Sequence, residues 1–413
     1  MAPGYTNKLA GYPVFGVAVV KERTTTEGLS DTEGLPLGAV LVVGGGGAAR
    51  TGVKNCISVY RIVENSKGLG EAQAIVTHDT GSEVCTSIDV SPSGKYVACS
   101  MGSNCGLFQY NKLKEKQDND AEGEFQLLVK WKTDFPSTVP ACQNVVKFGL
   151  NENMLATGGD DCQVKLWDVQ AILNAIQKRQ SGDKTVFEET LVEKVHCLAG
   201  HTKEIKDIDF EPSGKYLASA SKDQGCRIWN IQTGKLLQLL PADTASGLTY
   251  RRCQFSSAHE LITLQIPNGG RGSSYIVVWT MKEVEKGAVW TVSKVVHVSK
   301  GMATSFYLTR NEKYVGLATA GGSISLLDRA TFSSLRTFND VHNLPITGLC
   351  STYSVEKESG RRLEKEYMLS GSIDRIVSVV PVQHSHLKWI MLRLSFTLLV
   401  ILAVFLCVHT LFH

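Results

Sequence analysis

The stretch Val43-Gly44-Gly45-Gly46-Gly47-Ala48-Ala49-Arg50-Thr51-Gly52-Val53-Lys54-Asn55 is the part of this chain whose residue types could do chemistry with their backbone. Three chemistries fit parts of it. A phosphate-cradling P-loop requires G-x-x-x-x-G-K-[ST]. Gly47 and Gly52 have that spacing, but Val53 stands where the Lys is needed. A dinucleotide fingerprint fits Gly44, Gly46 and Ala49 as G-x-G-x-x-[GA], with Glu64 twenty residues beyond Gly44, yet it needs a helix next. TGVKNCISVYRIV follows instead; it is β-branched and alternating, and reads as a strand. The third chemistry belongs to a protruding loop. Four consecutive glycines permit positive φ and leave amides and carbonyls unobstructed. Such a loop can close its carbonyl oxygens over a cation or approach a partner's backbone; a plain surface loop is the alternative.

Elsewhere the chemistry is structural. No acid–base pair, nucleophile–His couple or metal cluster emerges from the spacing. The 11 Cys are scattered without a C-x-x-C pair, which excludes a zinc ribbon and predicts free thiols in a reducing compartment. His384 and His386 make an H-x-H without a third ligand, and read as polar linker. The net charge of +3 demands neither nucleic acid nor an anionic surface as partner.

The elements that must carry the loop repeat along the chain. GHTKEIKDIDFEPSGKYLASASKDQGCRIWN, 200–230, resembles the WD repeat: a Gly-His, a strand, a Pro-Ser-Gly turn, a second strand, an Asp turn and a third strand ending in Trp. That resemblance implies a hydrogen-bonded network of His201, Asp223 and Trp229 with a strand hydroxyl, which satisfies buried polar groups and fixes the twist. In a second copy, 144–169, Asp161 stands six residues before Trp167, as Asp223 does before Trp229. Weaker copies place equivalent third-strand positions at Tyr60, Tyr110, Trp279, Leu327 and Val380. The pattern predicts an all-β, seven-bladed propeller of four-stranded blades, with the glycine loop between the second and third strands of the first. Charged insertions at 112–124, 177–189 and 356–366 read as solvated loops. The apolar VFGVAVV near the N-terminus is broken by Gly and Pro on its upstream side and reads as a buried strand rather than a signal peptide; it is expected in or beside the blade that uses the last repeat.

Residues 389–411, WIMLRLSFTLLVILAVFLCVHTL, would be about 35 Å long as a helix, enough to cross a bilayer core of about 20 residues. Arg393 lies one turn inside and can snorkel, and Lys388 and Trp389 sit where interface anchors belong. Basic residues only on the N-terminal side predict a cytosolic propeller over 1–382, a linker over 383–388 and a transmembrane helix over 389–411, in a single-pass, type II arrangement.

The loop GGGGAARTGVKN, with GYPVFG upstream at 11–16, a degenerate propeller and a C-terminal anchor, resembles the endoplasmic-reticulum exchange factors for Sar-type small GTPases, the prolactin regulatory element-binding protein family. The resemblance covers the whole chain; Arg50 departs from the Lys common in animal members and leaves the loop length intact. It implies a guanine-nucleotide exchange factor at the endoplasmic-reticulum membrane that starts coat complex II budding, with the Sar-type GTPase as partner and no nucleotide bound by this chain itself. It implies that Asn55 is the activity-critical residue and that residues 44–54 contact the GTPase. It also implies a potassium ion on the backbone carbonyls of Gly45, Gly46, Gly47, Gly52 and Val53. Such a factor breaks no covalent bond, in keeping with the lack of catalytic groups. The alternative is a non-catalytic membrane scaffold for cargo exit. A DNA-binding role, which the family name suggests, fits neither the near-neutral charge nor the anchor. The sequence places Asn55 outside the blade core, its amide free to bond a displaced segment of the GTPase.

Overall fold

A computed structural model describes residues 4–21, 34–47, 52–113, 123–135, 142–180, 194–242, 247–284, 287–355 and 362–382. The predicted linker and membrane helix, and most of the three charged insertions, lie outside the described residues. No helix among the described residues is long and apolar enough to cross a membrane.

Short runs of β-branched and aromatic residues, closed by tight turns, set the architecture. The two Pro-Ser-Gly turns show how. The amides of Gly94 and Gly214 return to the carbonyls of Ser91 and Glu211, 2.8 Å each, at φ values of 72° and 74° that suit glycine. Antiparallel strands so joined form five separate four-stranded sheets, spanning 85–132, 143–199, 205–241, 248–299 and 303–338. One eight-stranded sheet holds the first and the last of the described strands.

The repeat spacing predicts seven separate four-stranded blades, and here the structure differs. In the eight-stranded sheet, strands 14–19, 40–44, 55–64 and 70–81 form one antiparallel run, and 346–355, 362–372, 376–381 and 6–9 form another. A short parallel pairing, Ser354 with Ile62 and Val355 with Val63, joins them at the end of the long strand Ile346–Val355, where its own pairing with 362–372 shifts register. The first strands of all these runs pack side by side in a closed ring: 14–19, 85–90, 143–148, 205–210, 248–257, 303–308, 346–355, and back to 14–19. The apolar strand Val14–Val19 thus lies directly beside the last repeat. The strand that completes that repeat is the polar Thr6–Leu9, paired with Ile376–Pro381.

The core lies between neighbouring sheets. Val145, Ala156 and Leu166 of one sheet close on Ile205, Leu217 and Trp229 of the next, all buried. Two corrections concern local structure. The expectation of an all-β fold misses one helix, Val169–Gln180, whose first turn is capped by Asp168 Oδ1 accepting from Ala171 N at 2.8 Å. It buries Val169, Ile172 and Ile176, so the insertion at 177–189 begins as helix rather than loop. In the second repeat, Phe108 rather than Tyr110 is the equivalent of the tryptophans. A register shift occurs at Phe108, as it does at Trp167, Trp229 and Trp279, and Val97 faces Phe108 as Leu217 faces Trp229.

Candidate functional site: the base of the glycine loop

The loop leaves strand Val40–Gly44 and returns at the first residue of strand Asn55–Glu64, so a strand and not a helix follows it. The glycines serve different ends. A side chain at Gly44 would lie 1.8 Å from the Pro13 carbonyl oxygen, and one at Gly45 would lie 2.1 Å from Asn55 Oδ1. Gly47 has open space but a φ of 73°, and so does Gly52 at 74°. The first two glycines make room and the last two turn the chain. Ala48, Ala49, Arg50 and Thr51 lie outside the described residues.

Asn55 is 2% exposed, contrary to the expectation of a free amide on a protruding loop. Its Oδ1 accepts from Gly47 N at 2.9 Å, and its Nδ2 donates to the carbonyls of Gly47, at 3.2 Å, and Gly81, at 2.8 Å. Both amide hydrogens are therefore engaged within the chain. The reason is register: Asn55 pairs with Gly81 at the far end of strand Gly70–Gly81, which walls in a side chain that would otherwise be exposed. Asp79 secures that wall. Its Oδ1 accepts from Gly81 N at 2.9 Å, and this bond, with Lys54 at 3.5 Å from its other oxygen, holds the carboxyl below its ordinary pKa.

The upstream GYP segment completes the base. Gly45 N donates to Pro13 O at 3.0 Å. Tyr12 is buried, and its hydroxyl bonds Ser58 Oγ at 2.7 Å and Val42 O at 3.3 Å. Burial pushes the Tyr12 phenol far above its usual value and keeps it a neutral donor. The two sequence segments that carry the resemblance, 11–16 and 44–55, therefore touch. Beyond this base, Gly52 and Lys54 are exposed.

Carbonyl oxygens without neighbouring side chains are the donor type that holds a hard monovalent cation. Gly45, Gly46, Gly47 and Gly52 supply such groups in kind. The Gly47 carbonyl already accepts from Asn55, leaving one of its two lone pairs.

His201, Asp223 and Trp229 are joined through Ser219. His201 Nδ1 meets Asp223 Oδ2 at 2.9 Å, His201 Nε2 meets Ser219 Oγ at 2.7 Å, and Trp229 Nε1 donates to Ser219 Oγ at 2.8 Å. Burial pushes the His201 pKa down against the pull of Asp223. Asp223, despite burial, is held well below the carboxylate range by its bonds from His201 and Thr202. Trp167 Nε1 donates to Thr157 Oγ1 at 2.9 Å, but Asp161 has no histidine partner among the described residues and pairs with Lys165. Asp134 takes over there, its carboxylate accepting from the amides of Cys142 and Asp161 at 2.7 and 2.8 Å.

Sequence reasoning missed three groups. His342 repeats the network, 3.0 Å from Asp374 and 2.8 Å from Ser370 Oγ, with Val380 in the tryptophan's place. Asp89 and Asp209 accept from the amides of Phe148 and Phe255, both at 2.8 Å, and so latch each first strand to the next sheet. Their signal was present, as an Asp one residue before the last apolar position of strands Cys85–Val90 and Ile205–Phe210. All ten cysteines among the described residues are free.

Comparison with known proteins follows this geometry. The WD40 family profile (WD domain, G-beta repeat) matches residues 138–168 and 192–230. The chain is 25% identical over 417 residues to guanine nucleotide-exchange factor SEC12 of Rattus norvegicus, covering 88% of this chain and 91% of the rat protein. It is 24% identical to the SEC12 of Mus musculus with the same coverage. With SEC12-like protein 2 of Arabidopsis thaliana it shares 22% identity, over 73% of this chain and 67% of the plant protein. The chain thus carries two WD-repeat matches and is similar over most of its length to the SEC12 guanine nucleotide-exchange factors of rat and mouse.

Proposed function

We propose that this chain is a guanine-nucleotide exchange factor that activates a Sar-type small GTPase at the endoplasmic reticulum. The observation that carries the reading is the clamp of Asn55 on Gly47 and Gly81, which fastens a glycine-rich loop to a rigid sheet. The similarity to SEC12 over most of the chain supports it.

A small GTPase holds GDP through phosphate contacts and Mg²⁺. An exchange factor binds the nucleotide-free form more tightly, and linkage then requires that it weaken nucleotide affinity by the same factor. Residues 44–54 are the part that engages the GTPase near its phosphates, and the sheets are the base against which they push. Asn55 acts by shaping this loop rather than by reaching out. A potassium ion on the carbonyls of Gly45, Gly46, Gly47, Gly52 and Val53 would brace the loop from within.

The architecture in this reading is a seven-bladed propeller over 1–382, with the eight-stranded sheet counted as two blades, followed by the linker 383–388 and the membrane anchor 389–411. The closed ring of first strands supports the count. The propeller faces the cytosol, so GTPase is activated at the membrane it must enter. Protease added to sealed microsomes digests the propeller in this orientation; its full protection would overturn it.

The deciding experiment is GDP release from a purified Sar-type GTPase. The full-length chain accelerates release catalytically. A chain that binds the GTPase with no change in release rate is a scaffold for cargo exit instead.

A further inference from the structure

The ring of first strands encloses a channel, and one mouth of it is a cavity of about 270 Å³. Four basic side chains line this cavity: Lys147, Lys206, Arg251 and Arg252. The carboxylate that lines it with them is Asp207. Asp207 is already committed: its Oδ2 accepts from Cys253 N at 3.0 Å, while its Oδ1 lies 3.4 Å from Arg252. Lys147 is 3.9 Å from Asp89, whose other oxygen accepts from Phe148 N. Lys206 lies 3.5 Å from Glu204, which is closer to Lys222 at 2.6 Å. Arg251 has no carboxylate in ion-pair distance among the described residues and shares the more distant Asp207 with Arg252. Its Nε donates to Thr304 O at 3.2 Å, beside Arg252.

A partly buried guanidinium next to a second one, with one carboxylate between them, is costly unless a further anion completes the set. The fork of N–H donors that remains suits a planar or tetrahedral oxyanion. Asn144 and Ser87 add polar groups to the same wall.

The mouth also has a telling position. Phe15 and Gly16 line it, next to Val14, which pairs with Gly44 at the base of the glycine loop. The loop and the basic mouth therefore open at the same end of the channel.

We infer that this mouth is a receptor for one oxyanion, a carboxylate or a phosphate, held chiefly by Arg251 with Lys206 and Arg252. Two sources can supply it: a free phosphate, or an acidic side chain of the GTPase docked on the glycine loop. The second source rests on the exchange reading; the site itself does not.

The test uses the full-length chain in detergent and inorganic phosphate, titrated at constant ionic strength against chloride. Phosphate raises the melting midpoint of the wild type saturably. Arg251→Gln weakens that response at least tenfold, and Lys235→Gln, exposed and outside the cavity, leaves it unchanged. Lys206→Gln replaces Arg251→Gln as the reporter if the latter does not fold. Equal responses of wild type and cavity variants, or no response in either, overturn the proposal. GDP-release assays then separate the sources. If phosphate competes with the GTPase and Arg251→Gln raises KM at constant kcat, the anion is the partner's side chain. If the variant binds phosphate poorly yet exchanges as wild type does, the anion is free phosphate. Failure of exchange altogether leaves the phosphate arm intact, so the two readings fail separately.

Discussion

The repeat at 200–230 and the base of the glycine loop use one device for two purposes. In each, a buried polar side chain ties a turn to a strand. His201 joins Asp223 to Ser219, and Trp229 closes the set. Asn55 joins Gly47 to Gly81. Around His201 the apolar cluster of Ile205, Leu217 and Trp229 does most of the holding, and the polar network selects one arrangement of it. Around Asn55 the space is occupied by glycines, so its hydrogen bonds are what hold the loop's shape. The same kind of side chain should therefore matter for stability in one place and for geometry in the other.

The largest effect tests the first half of that contrast. Trp229 is 1% exposed, and Trp229→Ala should cost about 3–5 kcal/mol by chemical denaturation, since it opens a cavity and strips Ser219 of a partner. GDP release per folded molecule should stay at the wild-type rate. A normal midpoint with slow release would dissolve the contrast.

Asn55→Ala comes next. Its burial argues against the near-neutral effect expected of a surface asparagine. Three backbone groups lose their partner, and stability should fall by about 1–3 kcal/mol. Release should fall further than stability explains: a loss of about 2 kcal/mol at the transition state slows it about 30-fold. Asn55→Asp keeps the acceptor for Gly47 N but loses both donors, so it should fail in release as Asn55→Ala does. If Asn55→Ala melts as wild type does and still exchanges at full rate, the loop mechanism is wrong.

Acid separates the regions more gently. Burial depresses the pKa of His201 and His342 in the folded chain, so the stability they provide is full above about pH 6.5 and is lost as pH falls from there through their folded values. Asp223, also depressed, adds its loss only below about pH 4. Asp134 and Asp209 oppose this, since burial pushes each up to about 6 and the folded state takes up their protons first. The histidine part is read by difference: the stability gap between wild type and His201→Gln should narrow between pH 7.5 and 5.5. The gap between wild type and Asn55→Ala, which involves no titrating group of its own, should not.

Much of this contrast was legible in the residues. The positions Tyr60, Trp167, Trp229, Trp279, Leu327 and Val380 all fall on third strands, because a period set by an aromatic or aliphatic anchor survives sequence drift. So does the place of the loop, between a glycine and the Asn that opens the next strand. What stayed hidden depends on partners far along the chain. The burial of Asn55 is set by Gly81. The closing strand Thr6–Leu9 carries no apolar alternation and is specified by its pairing with residues more than 350 positions away. Tyr110 misled because strand Asn104–Lys112 runs on past Phe108 and carries a second buried aromatic two residues later. The helix 169–180 did leave a trace, the spacing of Val169, Ile172 and Ile176, which a search for period-2 strands passes over.

The smallest effect sharpens the comparison most, because it acts on loop shape almost alone. Gly47 has open space around its α-carbon but a φ of 73°. An alanine there meets no neighbour and loses only the freedom of glycine in the left-handed region, about 1–2 kcal/mol of local strain. With open space around Gly47, the backbone there can relieve that strain by shifting, so the melting midpoint should barely move. Shifting, however, carries the Gly47 amide and carbonyl away from Asn55, and the loop loses the form in which it meets the GTPase. Release should slow while stability holds. Gly47→Asn, which tolerates positive φ, should restore much of the rate. Equal, unimpaired release by both variants would mean that the clamp orders the loop without setting its function.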